Sequence, residues 1–195
     1  MKIIFATGNQ NKFNEACKIL GEGFELATTA SVGLTEEIPE THDTIAANAV
    51  EKAMYVWDKL HINCFSDDTG LEVDALDGRP GVYSARYAGP GKDSIANCRK
   101  LLQELEGVPF EKRTARFRCV VALVEDGVVH TFEGTCEGHI IFEPCGTEGF
   151  GYDVIFKPDG FDTTLAELRM ENKNEISHRG AAMRKLACYL QTNHK

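Results

Sequence analysis

The chain has 195 residues, of which 43% are hydrophobic and 26% are charged, and its formal net charge is −9. This length and composition predict one folded domain over residues 1–195, or two tightly joined lobes, and exclude a disordered chain. The acidic balance argues against a protein whose main task is to bind nucleic acid or an anionic membrane.

In the N-terminal part, short apolar runs alternate with helical patterns. Residues 3–6 form a continuous apolar run, which is typical of a strand buried on both faces, and a helical pattern follows at 12–20. Residues 24–27 predict a second strand. Apolar residues then recur at helical spacing over 44–60, and a further short strand is predicted at 62–65. This order favours an α/β architecture.

The C-terminal part predicts more strands between helices. A helix is predicted over 93–105 from apolar residues on one side. Residues 115–124 and 128–134 flank a Glu-Asp-Gly turn and predict a hairpin, to which 138–142 could add a strand. The last helix is predicted over 179–190. Because strand-rich and helix-rich stretches are mixed, we expect a mixed sheet surrounded by helices.

Cysteine usage and hydropathy indicate where the protein functions. The seven cysteines are scattered, and no C-x-x-C pair occurs, which predicts reduced and mostly buried thiols. No segment approaches the roughly 20 apolar residues of a membrane span, and no signal peptide is recognised. We therefore expect a soluble cytoplasmic protein that binds neither nucleic acid nor a membrane.

The first candidate site is the turn that joins the first predicted strand to the first predicted helix. It consists of Thr7, Gly8, Asn9, Gln10, Asn11 and Lys12. Backbone N–H groups at a helix N-terminus, together with a lysine, suit an anion such as phosphate. An ordinary turn with a solvated lysine is equally compatible with the spacing. The turn is not a Walker A loop, because that motif requires G-x-x-x-x-G-K-[ST].

Acidic residues form the second candidate site. Asp67 and Asp68 follow the predicted strand at 62–65, and ligands of α/β proteins bind at the carboxyl ends of strands. Two carboxylates suit Mg²⁺, and one of them could deprotonate a water. A polar turn is the alternative. In the loop before the second long helix, Glu36, Glu37 and Glu40 are by themselves more typical of solvated charges. The polar face of that helix, formed by Thr44, Asn48, Glu51, Lys52 and Tyr55, is typical of the solvated side of an amphipathic helix.

The third candidate site is the segment from Gly149 to Asp153, followed by Lys173 and by His178-Arg179. Two aromatic rings beside glycines can offer a stacking surface for a purine, and Asp153 can offer an acceptor. A His-Arg pair at the start of a helix is, however, more often structural.

Together these segments resemble the inosine triphosphate pyrophosphatase family, the non-standard purine NTP pyrophosphatases also called XTP/dITP diphosphatases. The resemblance extends over almost the whole chain. The matching segments are ATGNQNK at 6–12, SDDTGLEVDALDGRPGVYSARYAG at 66–89, GFGYDVIF at 149–156 and SHRG at 177–180.

The resemblance implies a function and a set of site residues. The function is Mg²⁺-dependent hydrolysis of ITP, dITP and XTP to the monophosphate and pyrophosphate, which cleanses the nucleotide pool. Asp68 would be the catalytic acid–base residue and would bind Mg²⁺ together with Glu40. The substrate-binding residues implied are Thr7, Gly8, Asn9, Gln10, Asn11, Lys12, Thr69, Phe150, Gly151, Tyr152, Asp153, Lys173, His178 and Arg179.

The family also implies an elongated α/β fold with two lobes, a nucleotide-binding cleft between them, and a homodimer. The sequence departs from the family at Val154, where proline is usual, at Ala47, where glutamate is common, and at Thr69, where serine is common. Two alternatives remain open, namely a pyrophosphatase for other modified nucleotides and a nucleotide-binding protein without turnover.

The base preference has a physical rationale. Hypoxanthine and xanthine carry a 6-keto acceptor where adenine carries a 6-amino donor, and Arg179 can only donate. An unpaired polar group in a closed site discriminates strongly between substrates. Guanine shares the 6-keto group, so we expect Asp153 to reject it at the 2-position.

Overall fold

A computed structural model of the protein describes residues 2–21 and 23–193. Within that part, the chain forms two compact units. Unit 1 contains residues 2–21, 23–68, 119–134 and 179–193, and unit 2 contains residues 69–118 and 135–178. A single functional domain over 1–195 stays a prediction, and positions 1, 22, 194 and 195 of that range lie outside the described residues.

The described residues contain five α-helices and seven strands. The helices are α1 (Gln10–Leu20), α2 (Ile45–Leu60), α3 (Ser94–Glu104), α4 (Met170–Ile176) and α5 (His178–Asn193). The strands are β1 (Lys2–Phe5), β2 (Glu25–Thr28), β3 (Cys64–Val73), β4 (Pro80–Gly81), β5 (Thr114–Glu125), β6 (Val128–Ile140) and β7 (Phe156–Pro158). The predicted α/β class is confirmed.

The strands form one mixed sheet, as predicted. Its order is β2-β1-β3-β5-β6-β7, and β4 pairs with β3. Strand β1 is parallel to both β2 and β3, whereas the β3–β4 and β6–β7 pairs are antiparallel. The predicted nucleotide-binding cleft stays a prediction.

Side-chain caps set the starts of three helices. Asn9, Thr44 and Asp93 each accept hydrogen bonds from backbone N–H groups in the first turn of α1, α2 and α3. Each cap satisfies donors that would otherwise lack an intrahelical partner. Thr44 is the first residue of the range 44–60 over which the second helix was predicted, so the cap lies where the periodicity begins.

Two strand predictions were wrong. The polar run 66–70 was expected to end a strand, but β3 continues through it to Val73. The buried carboxylate of Asp67 is paired with cations from distant segments, so a polar run can occupy a buried strand here. The separate strand expected at 138–142 does not form, because β6 itself extends to Ile140.

Each unit has its own apolar core. In unit 1 the buried members of the core are Ile3, Phe5, Ala16, Leu20, Phe65, Cys119, Val121, Leu123, Ala182, Met183, Leu186 and Leu190. In unit 2 they are Leu71, Val73, Leu76, Cys98, Leu101, Leu105, Ala115, Phe117, Cys136, Ile140, Tyr152, Ile155, Phe156 and Leu165. All seven cysteines are free thiols, four of them buried. No helix in the described ranges is long and apolar enough to cross a membrane.

Gly138 lies where β6 meets β7, and we expect the substitution Gly138→Ala to destabilise the protein by about 1–3 kcal/mol. An added Cβ would overlap the Lys157 carbonyl and lie 2.7 Å from Cζ of Phe156. A thermal melt measures the effect. The matched control is Gly91→Ala, where an added Cβ meets nothing within 4 Å. Equal melting temperatures for the two variants would contradict the prediction.

Candidate functional site

The turn between β1 and α1 is exposed from Gly8 to Asn11. Asn9 Oδ1 accepts hydrogen bonds from the N–H groups of Asn11 (2.9 Å) and Lys12 (3.3 Å). Thr7 Oγ1 accepts one from the Asn9 N–H at 3.2 Å. Two N–H donors at the start of α1 are thus already bound to the Asn9 side chain. An anion could therefore contact the Lys12 ammonium and the other exposed polar groups of the turn.

Asp67 is the centre of a buried ion-pair network in unit 1. Only 1% of its surface is exposed. Lys12 Nζ lies 3.1 Å from its carboxylate, and Arg179 Nε lies 3.1 Å from its Oδ2. Arg179 Nη1 in turn pairs with Glu15, which is buried on α1. The network therefore ties the turn that carries Lys12 to β3 and α5 within unit 1.

Asp68 belongs to a second cluster in unit 1, together with Lys52 and Glu40. Lys52 Nζ lies 3.3 Å from Asp68 Oδ1 and 2.6 Å from Glu40 Oε1. Lys52 is 6% exposed and Asp68 8%, whereas the Glu40 side chain is 37% exposed. One ammonium thus holds the two carboxylates that were predicted to share a metal ion.

The two neighbouring aspartates have opposite electrostatic environments. Burial by itself raises the pKa of Asp67, but the positive charges of Lys12, Arg179 and Lys52 outweigh it and hold that pKa below its usual value. Burial raises the pKa of Asp68, and the Lys52 ammonium opposes this shift without cancelling it. Environments that push the pKa values of two carboxyl groups apart assign them different roles. Asp67 is therefore suited to remain a fixed anion, and Asp68 is suited to take up a proton.

In unit 2 the structure brings Phe150, Asp153 and Lys173 together. Asp153 Oδ2 accepts hydrogen bonds from the Phe150 N–H and from Lys173 Nζ, both at 2.8 Å. Lys173 Nζ also lies 5.0 Å from the centre of the Phe150 ring. Asp153 and Lys173 are each 3% exposed. A buried ammonium beside an aromatic ring is an arrangement that can bind a planar base with acceptor atoms.

The other predicted substrate contacts of unit 2 have different surroundings. Tyr152 is buried, and its hydroxyl donates to the Ser84 carbonyl at 2.7 Å. His178 is buried, and its ring is stacked on Phe117 with the ring centres 4.7 Å apart. Thr69 lies in β3 and is half-buried.

Sequence reasoning missed Glu15 and gave no role to Lys52. Lys52 was expected to be solvated, but it is buried on the same face of α2 as Asn48 and Val56. Its spacing was an available signal, because Lys52 lies four residues from both Asn48 and Val56 and next to the apolar Ala53. The Arg179 contact predicted for the base would require other N–H groups, since Nε and Nη1 bind carboxylates.

Comparison with known proteins agrees with this architecture. The model of the Ham1 family matches residues 3–189. A dITP/XTP pyrophosphatase of Christiangramia forsetii is 50% identical over 97% of this chain and 99% of its own length. The dITP/XTP pyrophosphatase of Bacillus subtilis is 48% identical over 96% of each chain. The structure of the Staphylococcus aureus Ham1 protein superposes with a TM-score of 0.89 at 37% identity, covering 98% of this chain and 99% of that one.

The fold and the two charged clusters around Asp67 and Asp68 define an α/β protein with a carboxylate–lysine site at β3. The chain belongs to the Ham1 family. The resemblance to the dITP/XTP pyrophosphatases predicted from the four sequence segments is therefore confirmed.

Proposed function

We propose that the protein hydrolyses the non-standard purine nucleoside triphosphates ITP, dITP and XTP to the monophosphate and pyrophosphate. The observation that carries this proposal is the buried Asp68, with Lys52 and Glu40 beside it in a chain about half identical to dITP/XTP pyrophosphatases. A nucleotide pyrophosphatase needs a group that activates water next to charges that hold polyphosphate.

Triphosphate binding is assigned to the turn from Thr7 to Lys12. The turn is exposed, it begins a helix, and Lys12 brings a positive charge to it. The side chain of Lys12 keeps 15% of its surface exposed while it pairs with Asp67, so its ammonium can meet a phosphate oxygen from the open side. Asp67 then serves to position the lysine.

We assign Mg²⁺ to the carboxylates of Glu40 and Asp68, because the two lie close enough together for a single cation, here the Lys52 ammonium, to contact both. In the described parts of the chain no group of three or more His, Cys, Asp or Glu could hold a metal. A site of two carboxylates would complete its ligands with waters and substrate phosphates, as Mg²⁺ sites commonly do. When bound there, Mg²⁺ would neutralise phosphate charge.

The hydrolytic step uses Asp68 as the base. Its carboxylate accepts a proton from the attacking water, while Lys52 holds Oδ1 and fixes the orientation of the group. The water oxygen forms a bond to phosphorus, and the link between the α- and β-phosphoryl groups breaks. Lys12 and the turn hold the released pyrophosphate portion.

Base recognition is assigned to unit 2 and to Arg179. Phe150 provides the stacking ring, and Lys173 provides a donor for the 6-keto oxygen. The same proposed set includes Thr69, Gly151, Asp153 and His178, and Arg179 through N–H groups other than Nε and Nη1. Tyr152 belongs to it only through its place in the segment 150–153, because its hydroxyl is bonded to Ser84. The rejection of guanine stays a prediction without an assigned residue, because the Asp153 carboxylate is an acceptor and would pair with the 2-amino donor of guanine.

The assay that tests the function measures pyrophosphate and monophosphate release from ITP, XTP, GTP, ATP and dTTP in the presence of Mg²⁺. Strong turnover of ITP and XTP with weak turnover of GTP and ATP is the expected result. Equal turnover of all five nucleotides, or release of inorganic phosphate, would contradict the proposed substrate class. Binding of ITP without any release would indicate a nucleotide-binding protein instead.

We expect Glu40→Gln to raise the Mg²⁺ concentration needed for half-maximal activity by about tenfold, because it removes one of the two charged ligands. A titration of ITP hydrolysis with Mg²⁺ measures the shift. Glu36→Gln is the matched control, since Glu36 pairs with the exposed Lys59 rather than with Lys52. An unchanged Mg²⁺ requirement in Glu40→Gln would remove Glu40 from the metal site.

From the family resemblance we also propose that the enzyme is a homodimer and that it is cytoplasmic. Light scattering would give twice the chain mass of 21.5 kDa for a dimer. A mass of one chain at assay concentration would contradict this assignment.

A further inference from the structure

Ser84 lies in the segment 77–89, which matches the family but has no role in the proposed function. It begins a short 3₁₀ helix, Ser84–Arg86, and only 8% of its surface is exposed. Its hydroxyl is bonded on both sides. Oγ donates to the Gly81 carbonyl at 2.6 Å and accepts from the Leu71 N–H at 2.9 Å. Ser84 is thus attached to β3 two residues after Thr69.

The carbonyl oxygen of Ser84 is bonded to a different part of unit 2. It accepts the hydroxyl of Tyr152 at 2.7 Å and the side-chain amide of Asn97 at 3.3 Å. Asn97, which lies on α3, also donates to the Ala85 carbonyl and accepts from the Ala88 N–H, so it binds the turn that contains Ser84 at three points. One buried residue therefore connects β3 to the segment 150–153.

Tyr152 is placed for an internal role rather than for contact with substrate. Its ring belongs to the core of unit 2, and it is 5% exposed. Burial raises the pKa of its hydroxyl, so the group remains a donor at neutral pH. The Phe150 N–H donates to the side-chain carboxylate of Asp153, and Tyr152 anchors the short turn that holds both residues to the rest of the unit.

We propose that Ser84 and Tyr152 are positioning residues, which hold the segment 150–153 at a fixed place relative to β3 and so set the affinity for the purine base. This inference rests on the proposed function, because it takes Phe150 as the stacking ring. It assigns to Tyr152 a role that acts through Phe150 and Asp153. The proposal also gives the 77–89 segment a role, because the turn at Ser84 binds Tyr152 and thereby positions the segment 150–153.

The variant Tyr152→Phe tests the inference because it removes one hydroxyl and keeps the ring in the core. We expect KM for ITP to rise by about tenfold, as for the loss of a buried hydrogen bond, with kcat within about twofold of wild type. The inhibition constant of inorganic tripolyphosphate, which has no base, should remain within about twofold. The matched control is Tyr189→Phe, whose hydroxyl donates to Glu125 in unit 1, and there we expect no change in KM.

The variant Ser84→Ala provides an independent test of the same connection. It removes Oγ and leaves the Leu71 N–H without this acceptor, so we expect the same rise in KM for ITP with tripolyphosphate inhibition unchanged. Because both changes act through residue 84, the double variant should raise KM by less than the product of the two single effects.

Several outcomes would overturn the inference. One is a KM within twofold of wild type for Tyr152→Phe while Phe150→Leu raises KM. Another is a parallel rise of KM for ITP and of the tripolyphosphate inhibition constant, which would mean a general loosening. An unchanged KM in Phe150→Leu would remove the assumption about the stacking ring, and the inference with it. If the wild-type protein releases no pyrophosphate from ITP, the proposed function fails instead.

Discussion

Replacing Asp68 by asparagine is expected to lower kcat for pyrophosphate release from ITP by about a thousandfold. General base catalysis by a positioned carboxylate commonly contributes roughly 10²–10⁴-fold, and this variant also removes one proposed metal ligand. The amide keeps the shape of the side chain but cannot take up a proton from water. Steady-state rates with ITP and saturating Mg²⁺ measure the effect.

A control variant separates chemistry from folding in this experiment. Asp74→Asn removes a partly exposed carboxylate that pairs with Arg116 and Thr114 in unit 2. Its kcat should stay within about twofold of wild type, because exposed ion pairs contribute little. The role of Asp68 would be wrong if Asp68→Asn kept more than about a tenth of the wild-type kcat.

The second large effect concerns stability. We expect Arg179→Met to lower the free energy of unfolding by about 3–5 kcal/mol, because Glu15 and Asp67 would remain buried with one cation fewer. Lys12 would still pair with Asp67, so the loss falls mainly on Glu15. Urea titration measures the change. The fluorescence of Trp57, the only tryptophan of the chain, reports on unit 1.

Two further variants test the cause of this loss. Lys59→Met removes the exposed pair with Glu36 in the same unit and should cost less than about 1 kcal/mol. Adding Glu15→Met to Arg179→Met should restore part of the stability, since it removes the carboxylate left unpaired. A loss below about 1 kcal/mol in Arg179→Met would show that the buried pairs contribute no more than surface pairs.

The local parts of the structure could be predicted from the sequence. The helical periodicity over 44–60 predicted a helix, and α2 forms at Ile45–Leu60. The hairpin of β5 and β6 follows from apolar strands around a turn with glycine. The four motif segments were enough to recognise the family, because motifs require only the residues and their order.

Only the tertiary structure decided which polar side chains are buried and what pairs with them. Asp67 and Arg179 are 112 residues apart in the chain, and Glu15 and Arg179 are 164 apart. No local pattern reports such a pair, so the run 66–70 was expected to lie beyond the end of a strand and Lys52 on a solvated helix face. Tyr152 shows the same limit. Its motif position indicates the substrate, whereas its hydroxyl is bonded to Ser84, 68 residues away. Residue types and spacing determined the family and the helices. The burial of charges and hydroxyls depended on partners that folding alone brings within hydrogen-bond distance.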